Sequence, residues 1–146
     1  MRETLKPGET ITERFVVSEA NTVPRLAVQS AEIPQMPAVL ATAYMIAMME
    51  ATATKLIARH TDPGEGSLGV HVNVAHLAAT LPGQTVTVSA EVTAVEGRKI
   101  SFKVMAHDGL DKIGEGSHQR VVVPWERFKA GIAAKAGKIG GLVENG

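Results

Sequence analysis

The sequence predicts an α+β domain in which one antiparallel sheet curls around one long central helix. Three observations carry this expectation. No charged side chain occurs from Met36 to Met49, so a helix there lacks the polar face of a surface helix. Four later segments are rich in Val and Ile and alternate apolar with polar residues, the period of half-buried strands. Two of their junctions, Glu96-Gly97 and Asp108-Gly109, favour tight antiparallel turns.

Taken in order, Thr10 to Ser18 reads as a short strand, followed by an irregular stretch broken by Pro24, Pro34 and Pro37. A helix is expected from Ala38 to Arg59, with Pro37 at its first turn and His60-Thr61-Asp62-Pro63-Gly64 ending it. At ~1.5 Å per residue it would be roughly 33 Å long. Strands are expected over Gly69 to Thr80, Thr85 to Val95, Lys99 to His107 and Lys112 to Val123, with Pro82-Gly83 in the first connection. The segment Trp125 to Gly146 reads as a short amphipathic helix before a Gly-rich, fraying end. Wrapping one sheet around an uncharged helix is the economical way to bury it, which is the hot-dog fold. One copy leaves part of the helix and an edge strand bare. A homodimer, or a higher homo-oligomer, is therefore expected, with the Gly69 to Thr80 strands meeting at the interface.

The 146 residues are expected to form one domain, with its core over 8–128 and a tail over 129–146. Fifteen basic and fifteen acidic side chains balance and are scattered. That pattern lacks the basic footprint of a nucleic-acid or anionic-membrane partner. The uncharged run is also shorter than the ~20 residues needed to span a bilayer. No cysteine is present, which removes disulfides and zinc-thiolate sites and fits a cytoplasmic location. The polar first ten residues show no secretory signal.

Glu50 closes the uncharged run, where desolvating a carboxylate is expensive. Such a group must be satisfied by partners, protonated or used. Thr42, two turns upstream, and His76, on the next strand, are its candidate partners. Thr42 and Glu50 lie eight residues apart, about 12 Å along a helix axis, too far to hydrogen-bond within one chain. If both serve one substrate they come from different subunits, giving two composite sites per dimer. Each residue also has an ordinary reading: a helical Thr bonds its own turn's carbonyl, a Glu marks where a helix reaches solvent, and a core His is satisfied.

Gly64, Gly66 and Gly69 match G-x-G-x-x-G, but they follow a helix and precede a strand, the reverse of the dinucleotide-binding order. The loop reads instead as a tight helix-to-strand turn whose last glycine lets backbone approach a substrate. His71 and His76, five positions apart on a strand, point to opposite faces, so no metal site is expected. Met45, Met48 and Met49 read as packing, with Met45 and Met49 available to line a pocket. Arg98, Lys99, Lys103, Lys112 and Arg120 read mainly as solvated surface.

The stretch Thr42 to Glu50, PGEGSLG (Pro63 to Gly69), His76, TVTVSAE (Thr85 to Glu91), VEGRK (Val95 to Lys99), AHDG (Ala106 to Gly109) and GSHQR (Gly116 to Arg120) together resemble the fluoroacetyl-CoA thioesterase family of hot-dog proteins. The likeness runs from about Gly8 to Phe128, and its specificity lies in the joint spacing. It implies a dimeric hydrolase of short-chain acyl-CoA thioesters without metal or redox cofactor, coenzyme A entering only as part of the substrate. Thr42, Glu50 and His76 are then catalytic: Glu50 as nucleophile or general base, His76 as acid and base, Thr42 as orienting group. The resemblance further implies that the Gly69 backbone holds the thioester oxygen and that Arg120 belongs to the surroundings. Val23, Ile33, Met36 and Met45 are the expected substrate-binding residues. Fluoroacetyl-selective members carry phenylalanines where this chain has Ile33 and Met36. A flexible methionine in place of a rigid ring implies a different or broader short acyl group. Two rival readings stand beside this one: a hot-dog hydratase or dehydratase, and a dimer that binds acyl-CoA or a small ligand without turnover.

Overall fold

A computed structural model describes residues 1–145. Five antiparallel strands form one sheet in the order β1-β3-β4-β5-β2. These are β1 (Thr10–Val16), β2 (Glu65–His76), β3 (Thr85–Glu96), β4 (Lys99–His107) and β5 (Lys112–Pro124). Helix α1 (Thr42–Ala58) packs on the inner face, and α2 (Trp125–Asn145) leaves the end of β5. The expected hot-dog arrangement is what the chain adopts.

Strict alternation builds the inner face. Val86, Val88, Ala90 and Val92 of β3, Ile100, Phe102, Val104 and Ala106 of β4, and His118, Arg120 and Val122 of β5 are all buried, while their neighbours face outward. Met45, Met49, Ala53, Leu56 and Ile57 of α1 complete the core. The β3–β4 and β4–β5 turns carry Gly97 and Gly109 at φ 64° and 91°, the left-handed backbone that glycine adopts without steric cost.

Three expectations are corrected. Helix α1 begins at Thr42, not Ala38, because the preceding backbone is committed to extended pairing. Leu40 N–H donates to the Thr80 carbonyl, Val23 N–H donates to the Val39 carbonyl, and Leu40 bridges Thr22. At 17 residues the helix is roughly 25 Å long. Strand β2 begins at Glu65 and ends at His76, so most of the expected glycine turn is strand, paired from Glu65↔Pro124 onward. As expected of one copy, part of α1 is left bare, with Ala43, Ala47 and Ala51 exposed. Finally, the tail is a 21-residue helix, helical through the glycines expected to fray; Gly146 lies outside the described residues.

A β-bulge divides β2. Gly69 pairs with Arg120 and His71 with Gln119, leaving Val70 as the extra residue. Ser67 and Gly69 therefore share the inner face with Val72, Val74 and His76, although their numbers differ in parity. β2 is also an edge strand, and Val70 and Val72 stand 54% and 41% exposed.

Candidate active site

The site residues fall into two groups on one chain. At the start of α1, Thr42 Oγ1 meets His76 Nδ1 at 2.7 Å. Val23, Val39, Leu40 and Leu77 line the adjoining pocket of about 380 Å³. Thr42 is in reach because the extended pairing of Leu40 stops the helix there, and His76 because the bulge turns it inward. His76 Nε2 is buried and makes no hydrogen bond among the described residues. Burial pushes its imidazole below the ordinary histidine range, against a smaller opposing pull from the Ala78 backbone. This is a neutral imidazole with a free nitrogen, suited to accepting or passing a proton.

Two turns along α1, Glu50 stands over Gly69 in a second pocket of about 260 Å³, shared with Val70, His71, Val72 and His118. A Cβ on Gly69 would lie 2.7 Å from Glu50 Oε2, so only glycine admits the carboxylate in this position. Arg120 Nη1 donates to Glu50 Oε2 at 2.9 Å. The guanidinium is buried and anchored twice more, Nε donating to Ser67 Oγ at 2.9 Å and Nη2 to the Ser67 carbonyl at 3.0 Å. Glu50 itself keeps 42% of its side chain exposed.

This arrangement corrects the expected partnership. Within one chain Glu50 pairs with Arg120, whereas Thr42 pairs with His76. Nor is the carboxylate sequestered from water, because it lies where α1 faces the open end of β2. The result is an accessible oxygen on a rigid mount.

Of the remaining expected residues, Val23 lines the Thr42–His76 pocket. Ile33 and Met36 sit at a neighbouring 3-10 turn, Ile33–Gln35, with Met36 exposed. Met45 is fully buried, its sulfur lying over Gly114, so in this chain it is core. Ser67 and His118 went unassigned in the sequence. His118 had a legible signal, because it lies two positions before Arg120 on an alternating strand and so shares its inward face.

The geometry places a Thr42–His76 pair and an arginine-mounted carboxylate on a hot-dog scaffold, and comparison with known proteins adds the family. A model of the fluoroacetyl-CoA-specific thioesterase family matches residues 17–126. The chain belongs to this family. It is 45% identical over 135 residues to the fluoroacetyl-CoA thioesterase of Streptantibioticus cattleyicolor, covering 92% of this chain and 97% of that protein. A solved structure of a fluoroacetyl-CoA thioesterase superposes with a TM-score of 0.88 at 45% identity, covering 91% of this chain and 98% of the other. A thioesterase superfamily member from Thermus thermophilus gives 0.85 at 28% identity, covering 95% and 98%. The expected assignment to a thioesterase family is therefore met. No cluster of three metal-binding side chains occurs among the described residues, and none of their helices is long and apolar enough to cross a membrane.

Proposed function

We propose that the protein hydrolyses a short-chain acyl-CoA thioester to the free acid and coenzyme A, in the cytoplasm, as a homodimer with composite sites. The observation that carries the proposal is the mounting of Glu50: a carboxylate fixed by a buried arginine, open on one side, with the Gly69 backbone directly beneath it. A thioester carbonyl brought to Glu50 stands beside the Gly69 backbone, which stabilises the oxyanion. Glu50 either attacks the carbonyl carbon, forming a mixed anhydride that water opens, or takes a proton from an attacking water. In both routes the C–S bond breaks, and the proton released by the attacking water reaches the departing thiolate through His76, which accepts it as a neutral imidazole and which Thr42 orients. Hydrolysis is redox-neutral, and coenzyme A enters only with the substrate.

The unpaired edge of β2 supports the dimer. Two copies joined along it would cover Val70 and Val72 and remove the open edge. Thr42 and His76 of one copy would then face Glu50 of the other. Val23, Ile33 and Met36 shape the acyl site. With Ile33 and Met36 in place of rings, acyl groups other than fluoroacetyl are accepted.

Thiol release from acetyl-, fluoroacetyl-, propionyl- and butyryl-CoA tests the activity directly. Glu50→Gln should lose about a hundredfold or more in rate while remaining folded. A folded Glu50→Gln protein with the parent's rate would remove the assignment.

A further inference from the structure

We propose that His118 is a positioning residue for the reacting carboxylate: one ring nitrogen fixes the plane of the Arg120 guanidinium, which in turn holds Glu50. The inference rests on the reading of Glu50 as the reacting group.

His118 lies on the inner face of β5 and is 2% exposed. Its ring stacks on Phe102 of β4, with centroids 6.5 Å apart and planes 26° apart. Nδ1 faces the His71 carbonyl at 2.8 Å. A carbonyl only accepts, so Nδ1 must carry the proton. Nε2 lies 3.3 Å from Arg120 Nη1. A guanidinium only donates, so Nε2 must present its lone pair. Both neighbours thus demand the same neutral tautomer, and an imidazolium would set N–H against N–H.

The charged surroundings agree. Glu50 approaches from α1, His71 from β2 and Arg120 from the same strand, while β4 contributes apolar Phe102. Burial foremost depresses the basicity of His118, the bond to the His71 carbonyl opposes this, and of the weaker charge effects Arg120 lowers it and Glu50 raises it.

Sharing explains the consequence for Glu50. Nη1 carries two hydrogens, one directed at Glu50 Oε2 and one at His118 Nε2. Ser67 holds the other two nitrogens. Without an acceptor at His118, one buried donor is left unmet and the Nη1 end is free to tilt. The carboxylate then loses its set position, and small misplacements of a reacting group are costly in rate.

Two measurements test this. In the full chain with ¹⁵N-labelled histidine, NMR should show His118 as the neutral Nδ1–H tautomer from pH 6 to 8. The Nε2–H tautomer, or an imidazolium in that range, would overturn the proposal. In kinetics, His118→Phe keeps the stack but offers no acceptor. It should lower kcat roughly 10- to 100-fold with KM within about threefold. His118→Gln, which supplies an oxygen acceptor, should restore most of the rate. An unchanged kcat in His118→Phe, or equal losses in both variants, would overturn the role. Glu50→Gln is assayed alongside: full activity there means that the Glu50 reading has failed, whereas impaired Glu50→Gln with unimpaired His118→Phe removes the positioning role alone. Should His118→Phe not fold, the tautomer decides.

Discussion

Gly69 lies so close beneath Glu50 that an added Cβ would stand 2.7 Å from the carboxylate oxygen Oε2. The obstructing atom is the end of a side chain, so the fold can yield where the site cannot. Gly69→Ala should therefore cut kcat roughly 10- to 100-fold and change stability by less than about 1 kcal/mol. Thiol-release kinetics and urea denaturation on the same protein check the pair of outcomes.

The Thr42–His76 contact predicts a graded series. Thr42→Val keeps shape but removes the hydroxyl, and should lower kcat about tenfold or more; Thr42→Ser should stay within a few-fold of the parent. Equal rates in Thr42→Val and the parent would show that the hydroxyl does not orient the imidazole.

Arg120, on β5, joins α1 to the edge strand β2. Arg120→Met leaves the Ser67 hydroxyl and carbonyl without their donor in a buried place. Denaturant unfolding should report a loss of about 1–3 kcal/mol. Activity should fall further than stability explains, since Glu50 loses its mount.

Acid pH should weaken the fold in a defined window. His76 and His118 both have folded pKa values depressed below the ordinary histidine value of 6.5, in each case mainly by burial. The unfolded chain therefore binds protons first as pH falls, and the slope of stability with pH is positive. Stability is full above about 6.5 and declines below it, through the two depressed values. Urea midpoints between pH 8 and 5 should fall accordingly, and a double His76→Gln, His118→Gln protein should show a flatter dependence.

Composite sites predict complementation. Glu50→Gln and His76→Ala homodimers each lack one component in both sites. A heterodimer keeps one site intact, His76 from the first chain and Glu50 from the second. Refolding an equal mixture should recover roughly a quarter of the parent activity, since half the dimers are mixed and each has one of two sites. No recovery would place the whole site within a single chain.

Strands β3, β4 and β5 were legible to within a residue of their observed ends, because each alternates cleanly against one core. The start of β2 was not, since Pro63 to Gly69 has the composition of a turn. Gly69 is there because a carboxylate needs the space, a requirement that comes from α1. The start of α1 was hidden for a similar reason: nothing local in Pro37 to Ala41 marks their pairing with Thr22, Val23 and Thr80. Among the site residues, Thr42, Glu50 and His76 stood out by type and place. Their pairing did not, because sheet order brings Arg120 rather than His76 to Glu50, and sequence spacing is silent on which strand neighbours which.

Val70, the extra residue of the bulge, fixes the length of β2. It lines the Glu50 pocket, and the number of residues between Gly69 and His71 cannot change. Removing one would carry Val72, Val74 and His76 round to the outer surface while Ser67 and Gly69 stayed in place, leaving the imidazole in solvent. The candidate site thus depends on the length of a strand as much as on the side chains that strand carries.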